Sequence, residues 1–253
     1  MLDALYVAAI GLQAQKERLD TLANNLANFG TTAFKRQSVD FAALLDRAPH
    51  GQRSDATSSA DARPNRVLRL DMSSGEVHGT GRGLDLAIIG EGYLEVELPS
   101  EQTGYTRVGS LQIGTDGRLG LLTGQALKAD VRIPGDAREI EILGDGSVIG
   151  LLAGDAEPTT LGQIELARFA NPEILEYRGE GVFIAPEGAD PSLVRPGEEG
   201  TAPFAVRSLE GSNVRMTDEM VSLMLMQRVY ELNSRVAQVA DELMGMTNNL
   251  RRG

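Results

Sequence analysis

The sequence predicts an α+β fold: long heptad helices at the N- and C-terminal ends pair as a coiled coil, with a central, mostly antiparallel, turn-rich β domain. Two observations support this prediction. Apolar residues recur at heptad spacing at both ends of the chain, and the middle consists of short β-rich runs separated by Gly, Pro and Asp-Gly pairs. The chain of 253 residues is long enough for one large domain or two modest ones.

The C-terminal segment carries an apolar residue at alternating spacings of four and three, with mainly polar and charged residues between. Thr217 or Asp218 can cap the start of this helix, and the acidic Asp218 and Glu219 suit the positive end of its dipole. The seam consists of Leu225, Val229, Leu232, Val236, Val239, Leu243, Met246 and Leu250.

The N-terminal segment repeats the pattern, and Gly30 followed by two threonines supplies a stop signal. A narrow apolar seam needs a partner helix, because an isolated helix leaves the seam in water. Periodicity leaves open whether that partner is the other end of the same chain or a neighbouring copy. The N-terminal seam consists of Leu5, Ala8, Leu12, Gln15, Leu19, Leu22, Leu26 and Phe29.

The middle of the chain changes to strand patterns from about residue 84 to residue 208. Asp116-Gly117 and Asp145-Gly146 lie between apolar runs, which is a strong hairpin signal. A connector precedes this region, with a short apolar element at 39–45 and a Ser-, Asp-, Arg- and Pro-containing stretch at 46–66. The predicted boundaries are 1–36 for the N-terminal helix of a discontinuous helical domain, 37–70 for the connector, 71–208 for the β domain and 209–253 for the C-terminal helix.

The amino-acid composition argues against most kinds of catalytic, metal-binding and nucleic-acid-binding site. The chain has no Cys and only His50 and His78, so thiolate sites and disulfides are excluded and a His-based triad or metal site has little to draw on. Residues 71–210 contain 24 acidic and 10 basic residues, a formal charge of −14, which repels nucleic acid. The glycine-rich stretches 79–83 and 90–92 do not lie between a strand and a helix, as a nucleotide loop would. We therefore predict no catalytic residue, cofactor, metal or small-molecule substrate.

The N-terminal residues lack the basic region, apolar region and cleavage site of a secretory signal. The longest uncharged apolar runs are too short to span a bilayer. If the protein leaves the cytoplasm, we expect it to use another route.

Five short motifs occur in a particular order. ANNLANFGTTAFKR occupies 23–36, GEGYLEV occupies 90–96 and YTRVGSL occupies 105–111, while LEGSNV at 209–214 precedes MVSLMLMQRVYELNSR at 220–235. Together these motifs resemble the flagellar rod and hook family over nearly the whole chain. One departure is Ala33, where the family usually has Gly. If that turn needs a positive φ, Ala costs some strain.

The resemblance implies a structural subunit of the flagellar basal-body rod, the drive shaft that transmits motor torque to the hook. It implies a helical domain made from both termini and an outward-facing β domain, with subunits stacked in a helical tube. The implied partners are the chain itself, other rod proteins, hook subunits, ring proteins and the flagellar type III export apparatus, which would carry the chain to the periplasm-crossing rod without a cleaved signal. The implied assembly residues are the two helix seams together with Asn24, Asn25, Leu26, Asn28, Phe34, Gly211, Ser212 and Asn213.

Length favours a rod subunit over the longer hook proteins. The short connector favours the proximal rod type, whereas MQRVYELNSR looks closer to the distal type, so the distal rod is the alternative. An alternative of a different class, a coiled-coil surface adhesin with a β head, predicts a signal peptide and a single stalk. A glycan-cleaving enzyme would need an aromatic-lined cleft with paired carboxylates, and 4% aromatic residues without Trp disfavour it.

Overall fold

The computed structural model describes residues 2–39, 68–99, 102–129, 131–154, 157–198 and 201–250. The chain divides into two compact units. Unit 1 contains Met1–Phe29, Arg36–Asp71 and Val214–Gly253, and unit 2 contains Gly30–Lys35 and Met72–Asn213. The domain boundaries predicted from the sequence remain predictions.

Unit 1 contains the two helices, α1 (Leu2–Ala27) and α2 (Met216–Leu250), and the strands β1 (Gln37–Val39) and β2 (Leu68–Leu70). The two strands pair antiparallel, with Gln37 opposite Leu70. The apolar element and the extended stretch predicted within 40–66 lie outside the described residues.

The predicted fold class is wrong. In the described part of the chain the structure is mostly β with turns, with one helix at each end, and no heptad helix pair is formed. The side chains of Leu225, Val229 and Leu232, which were predicted to form a paired seam, are 56%, 40% and 60% exposed. The two helices instead meet through a different face of α2, around the buried Glu219. Within the described part of this single chain, no second apolar seam therefore covers these three residues of α2.

Unit 2 contains fifteen of the described strands and one short 3-10 helix, Pro172–Ile174. The strands are β3 (Val77–Gly79), β4 (Leu86–Ala87), β5 (Leu94–Glu97), β6 (Thr103–Thr106), β7 (Leu111–Ile113), β8 (Leu119–Leu121), β9 (Ala137–Ile142), β10 (Ser147–Leu152), β11 (Thr159–Gln163), β12 (Leu166–Arg168), β13 (Glu176–Gly179), β14 (Val182–Ile184), β15 (Ser192–Val194), β16 (Ala205–Val206) and β17 (Ser208–Glu210).

Short antiparallel ladders join these strands. The largest is a four-stranded sheet in the order β13-β14-β6-β5, followed by a three-stranded sheet in the order β11-β10-β9. The C-terminal strands return to the start of the unit, since β16 pairs with β4 and β17 pairs with β3. The β7–β8 and β9–β10 hairpins turn where the Asp-Gly pairs predict, with φ of 76° at Gly117 and 85° at Gly146.

The core of unit 2 is aliphatic, as a chain without Trp requires. Burial alternates along β5 and β10, so that one face of each is buried, whereas β8 is buried along its whole length. An aromatic group adds edge-to-face contacts, with Tyr105 and Phe169 ring centroids 4.8 Å apart. The largest fully buried side chains are Phe183, Leu86, Ile88, Leu94, Leu111, Leu119, Leu121, Leu127, Ile142, Ile164, Leu166 and Leu175.

Ala33 has the positive φ that its place in the motif led us to suspect. Its φ is 54°, and the residue is 2% exposed. Its backbone N–H donates to the carbonyl oxygen of Glu210 at 2.8 Å, which fixes the conformation. Because the left-handed region brings Cβ close to the following carbonyl, this position carries strain that glycine would not.

We predict that Ala33→Gly raises the free energy of unfolding by about 1 kcal/mol, because relief of the left-handed strain outweighs the added freedom of the unfolded chain. The measurement is chemical denaturation of the full-length chain. The matched control is Ala87→Gly, a buried alanine in a strand without positive φ, which should lower the stability. A destabilised Ala33→Gly variant would show that the turn is not strained.

Candidate functional site

Two neighbouring basic residues, Lys35 and Arg36, each contact a buried glutamate that lies near the C-terminal end of the chain. Lys35 and its partner Glu210 belong to unit 2, and Arg36 and its partner Glu219 belong to unit 1. Sequence reasoning missed all four of these residues.

In unit 2 the carboxylate of Glu210 accepts hydrogen bonds from three groups. Lys35 Nζ lies 2.6 Å from Oε1, and the backbone N–H of Gly75 donates to the same oxygen at 2.9 Å. Arg107 Nε donates to Oε2 at 2.8 Å. The side chains of Lys35, Glu210 and Arg107 are 1%, 0% and 3% exposed, so this buried charge cluster is shielded from water. Charges removed from water are tolerable only when they are paired and hydrogen-bonded in this way.

The other donors of Arg107 bind mainly the backbone, with one further bond to the Ser74 hydroxyl at 3.3 Å. Its guanidinium donates to the carbonyl oxygens of Gly90 at 2.9 Å, Gly92 at 3.0 Å and Ile88 at 3.0 Å. The glycine stretch at 90–92 is therefore a turn whose carbonyls hold a buried arginine, which agrees with our interpretation that it is not a nucleotide loop.

The guanidinium also lies 5.8 Å from the centre of the Tyr93 ring. Burial raises the pKa of the Tyr93 hydroxyl above its ordinary value, although Arg107 acts in the opposite direction. Burial of this ring therefore favours the neutral hydroxyl, the form that tyrosine already has at neutral pH.

Backbone bonds of the LEGSNV motif surround the buried charge cluster. The N–H of Gly211 donates to the carbonyl of Glu76 at 2.8 Å, and the N–H of Asn213 donates to the carbonyl of Phe34 at 3.3 Å. The Asn213 side chain reaches the Ser73 carbonyl at 3.1 Å. A Cβ at Gly75 would overlap the Gly211 carbonyl oxygen, so the two segments cross at a position that requires glycine. The predicted site residues Phe34, Gly211 and Asn213 are thus brought together.

In unit 1, Asn25 connects α1 to β1 and to α2. Its side-chain amide donates to the Gln37 carbonyl at 2.8 Å and accepts from the Gln37 N–H at 2.9 Å. The same amide nitrogen lies 3.4 Å from Oε2 of Glu219, whose other oxygen is paired with Arg36. Asn25 is 0% exposed, so these polar groups satisfy one another without water.

The other Asn residues of the first motif act at the end of α1. The backbone carbonyl of Asn24 accepts from the Asn28 N–H at 3.1 Å and from the Asn28 side chain at 2.9 Å. The Asn24 side chain is exposed, and Leu26 is half-buried, as are Asn28 and Ser212. These contacts fit the expected role of Asn residues in closing exposed backbone at a helix end.

The start of α2 presents apolar side chains to solvent on two faces. Helical periodicity places Val221, Leu225, Val229 and Leu232 on one face, which we call the seam face, and Met216, Met220 and Met224 on another, which we call the methionine face. The three methionines are 36%, 44% and 61% exposed. Contiguous apolar residues exposed in this way mark interaction surfaces.

A third face of α2 contacts α1. Ser222 and Met226 line a cavity of about 190 Å³ together with Arg18, Thr21 and Leu22 of α1. Leu22 is buried and Leu19 is half-buried. The predicted positions Leu5 and Leu12 lie on α1, and Val236, Val239, Leu243, Met246 and Leu250 lie on α2. The structure thus brings together the residues of the motifs and leaves the described α2 seam positions exposed.

Among the residues that the structure describes, no group of three or more His, Asp and Glu side chains could hold a metal ion. Neither of the two helices there is long and apolar enough to cross a membrane.

Three family models match successive parts of the chain. "Flagella basal body rod protein" matches residues 5–35, "Flagellar hook protein FlgE/F/G D1 domain" matches 87–150, and "Flagellar basal body rod FlgEFG protein C-terminal" matches 206–250. The matched segments contain Lys35, Arg107 and Glu210, the three charged residues of the buried charge cluster.

Curated relatives agree over the full length. The flagellar basal-body rod protein FlgG of Caulobacter vibrioides is 35% identical, with 99% of this chain and 100% of the relative covered. The FlgG proteins of Borreliella burgdorferi and Bacillus subtilis are 34% and 30% identical, and in both cases 100% of each chain is covered.

The buried motifs, the exposed helix faces and these matches define a class: a structural, non-enzymatic subunit of the bacterial flagellum. Proteins of this class assemble with other basal-body components. More specifically, the chain belongs to the flagellar basal-body rod protein family, and its place is the flagellar basal body.

We predict that Asn25→Ala destabilises the junction of α1 with β1 by about 1–3 kcal/mol, because the Gln37 N–H and carbonyl lose their buried partner. Amide hydrogen exchange of the full-length chain measures this as faster exchange at residues 21–39. The neighbouring Asn24→Ala removes the same amide from an exposed position and should change stability by no more than about 0.5 kcal/mol. Equal effects of the two substitutions would contradict the role assigned to Asn25.

Proposed function

We propose that the seam face and the methionine face of α2 are the surfaces through which copies of this chain pack against one another and against other rod proteins. The observation that supports the proposal is the exposure of seven apolar side chains within the first five turns of one helix. Each is 36–61% exposed, so burying the remainder in an assembly would contribute about 0.5–2 kcal/mol per side chain, offset in part by the entropy of association.

The interface includes the α1 positions that share this pattern. Leu19 and Leu26 are half-buried in the single chain, so each still has surface to bury against a neighbour. Leu225 also lines the cavity between α1 and α2, together with Arg18 and Arg36. The remaining predicted seam residues are included in the proposal on their heptad spacing alone: Leu5, Leu12, Val236, Val239, Leu243, Met246 and Leu250.

The motif residues have a different part in the same function. Asn25, Phe34, Gly211 and Asn213 make their described contacts inside the chain, so they shape the segments that carry the interface. Asn24, Asn28 and Ser212 retain exposed surface and can contribute polar contacts to a neighbouring subunit. This division separates residues that form the surface from residues that hold it in position.

We further infer that the chain occupies the distal part of the rod, where FlgG-type subunits are found, and not the proximal part that the short connector favours. Hook subunits and ring proteins are then its neighbours, and the flagellar type III apparatus is the route by which we expect it to be exported. In that position the subunit would pass motor torque along the rod to the hook.

We predict that Leu232→Asp abolishes incorporation into the basal body, because a carboxylate cannot be buried unpaired in an apolar interface. Leu232 is 60% exposed in the single chain, so the substitution should leave the fold of the monomer intact. Asn233→Asp adds the same carboxylate at an exposed position on the third face of the same helix, outside both proposed surfaces, and should still assemble. The measurement is subunit content of purified basal bodies and swimming, and normal swimming of the Leu232→Asp strain would overturn the proposed interface.

The position in the rod is tested by labelling detergent-extracted basal bodies with gold-tagged antibody to this protein. We expect the label near the outer rings. Label confined to the region of the inner rings would assign the chain to the proximal rod instead.

A further inference from the structure

The buried charge cluster joins residues that are far apart in the sequence. Glu210 lies 175 positions after Lys35 and 103 positions after Arg107. Unit 2 ends at Asn213, so almost all of its residues precede Glu210 in the chain. Because a chain is made from its N-terminus, both cations exist long before the carboxylate that they share.

The two cations have been removed from water almost completely in the folded unit. Without the Glu210 carboxylate, Arg107 would keep its bonds to the carbonyls of Ile88, Gly90 and Gly92, but carbonyl dipoles do not replace a full negative charge. Removing one partner from a buried ion pair is strongly unfavourable for this reason.

The position of Arg107 connects this penalty to the core. The loop 88–92 that it holds leads directly into Tyr93 and β5, and Leu94 and Val96 of β5 are fully buried. If the guanidinium cannot be buried, the loop loses the group that fixes its carbonyls and β5 loses its entry into the sheet.

The segment that carries Glu210 also completes the unit in other ways. Phe204 is part of the aliphatic core, and β16 and β17 pair with β4 and β3 at the start of unit 2. The carboxylate, the last strands and Phe204 therefore reach the unit together, in the seven residues 204–210.

We propose that Glu210 acts as the closing counter-ion of unit 2. Residues 72–209 remain open until the LEGSNV motif places this carboxylate between Lys35 and Arg107, after which the unit becomes stable in a single step. The C-terminal motif thereby controls when the β domain folds. The proposal does not depend on the assembly surfaces of α2.

The test compares full-length chains by amide hydrogen exchange. Glu210→Gln keeps the shape of the side chain and removes its charge, and we expect exchange to become about a hundredfold faster across residues 86–121, far along the chain from the substitution. The matched control is Glu141→Gln, which breaks an exposed ion pair with Arg207 in the same unit and should leave exchange unchanged. Faster exchange confined to residues 73–76 and 207–213 would overturn the proposal.

A second variant separates charge from shape, including the case in which Glu210→Gln does not fold. Lys35→Met combined with Glu210→Gln restores the summed charge of the three side chains to its original value. We expect this double variant to exchange at least about tenfold more slowly than Glu210→Gln across residues 86–121. If the double variant exchanges as fast as Glu210→Gln across these residues, the missing charge is not the cause of the faster exchange.

Discussion

The pairing of buried charge at Glu210 is the constraint on which the rest of unit 2 depends. One carboxylate satisfies Lys35 from the first motif, Arg107 from the β region and the backbone of Gly75. Three segments that are distant in the sequence must therefore converge on a single point before any of these charges can leave water. The glycine crossing of Gly75 and Gly211 and the left-handed turn at Ala33 both follow from this convergence, since they bring the backbone close enough for the contacts.

The two units use the same kind of polar junction for different purposes. In unit 2 the junction is ionic and completes a β core, whereas in unit 1 the neutral amide of Asn25 organises the end of α1 and orients Glu219. Because the polar groups fix how α1 meets α2, the described seam residues Leu225, Val229 and Leu232 are not needed for that contact and are exposed. In the proposed function, an intrachain contact made by polar residues leaves these apolar residues available for neighbouring subunits.

The sequence predicted the secondary-structure elements better than it predicted which of these elements pack against each other. The Asp-Gly turns, the β-rich middle and the two terminal helices follow from local signals, whereas the coiled-coil fold class was wrong because periodicity does not identify the partner of a seam. The motifs directed attention to Asn25, Phe34, Gly211 and Asn213 but not to the charges beside them. Lys35, Arg107 and Glu210 lie within the motifs, and their significance depends on burial, which a charged residue in a short motif does not reveal.

The adjacency of Lys35 and Arg36 limits how the length of the chain can vary. The two side chains serve different units, and the peptide bond between them is also the boundary between those units. Inserting or deleting one residue between Asn25 and Arg36, or between Glu210 and Glu219, would move at least one of the paired charges out of register. Relatives of this chain that differ in length should accordingly place their insertions outside these two segments.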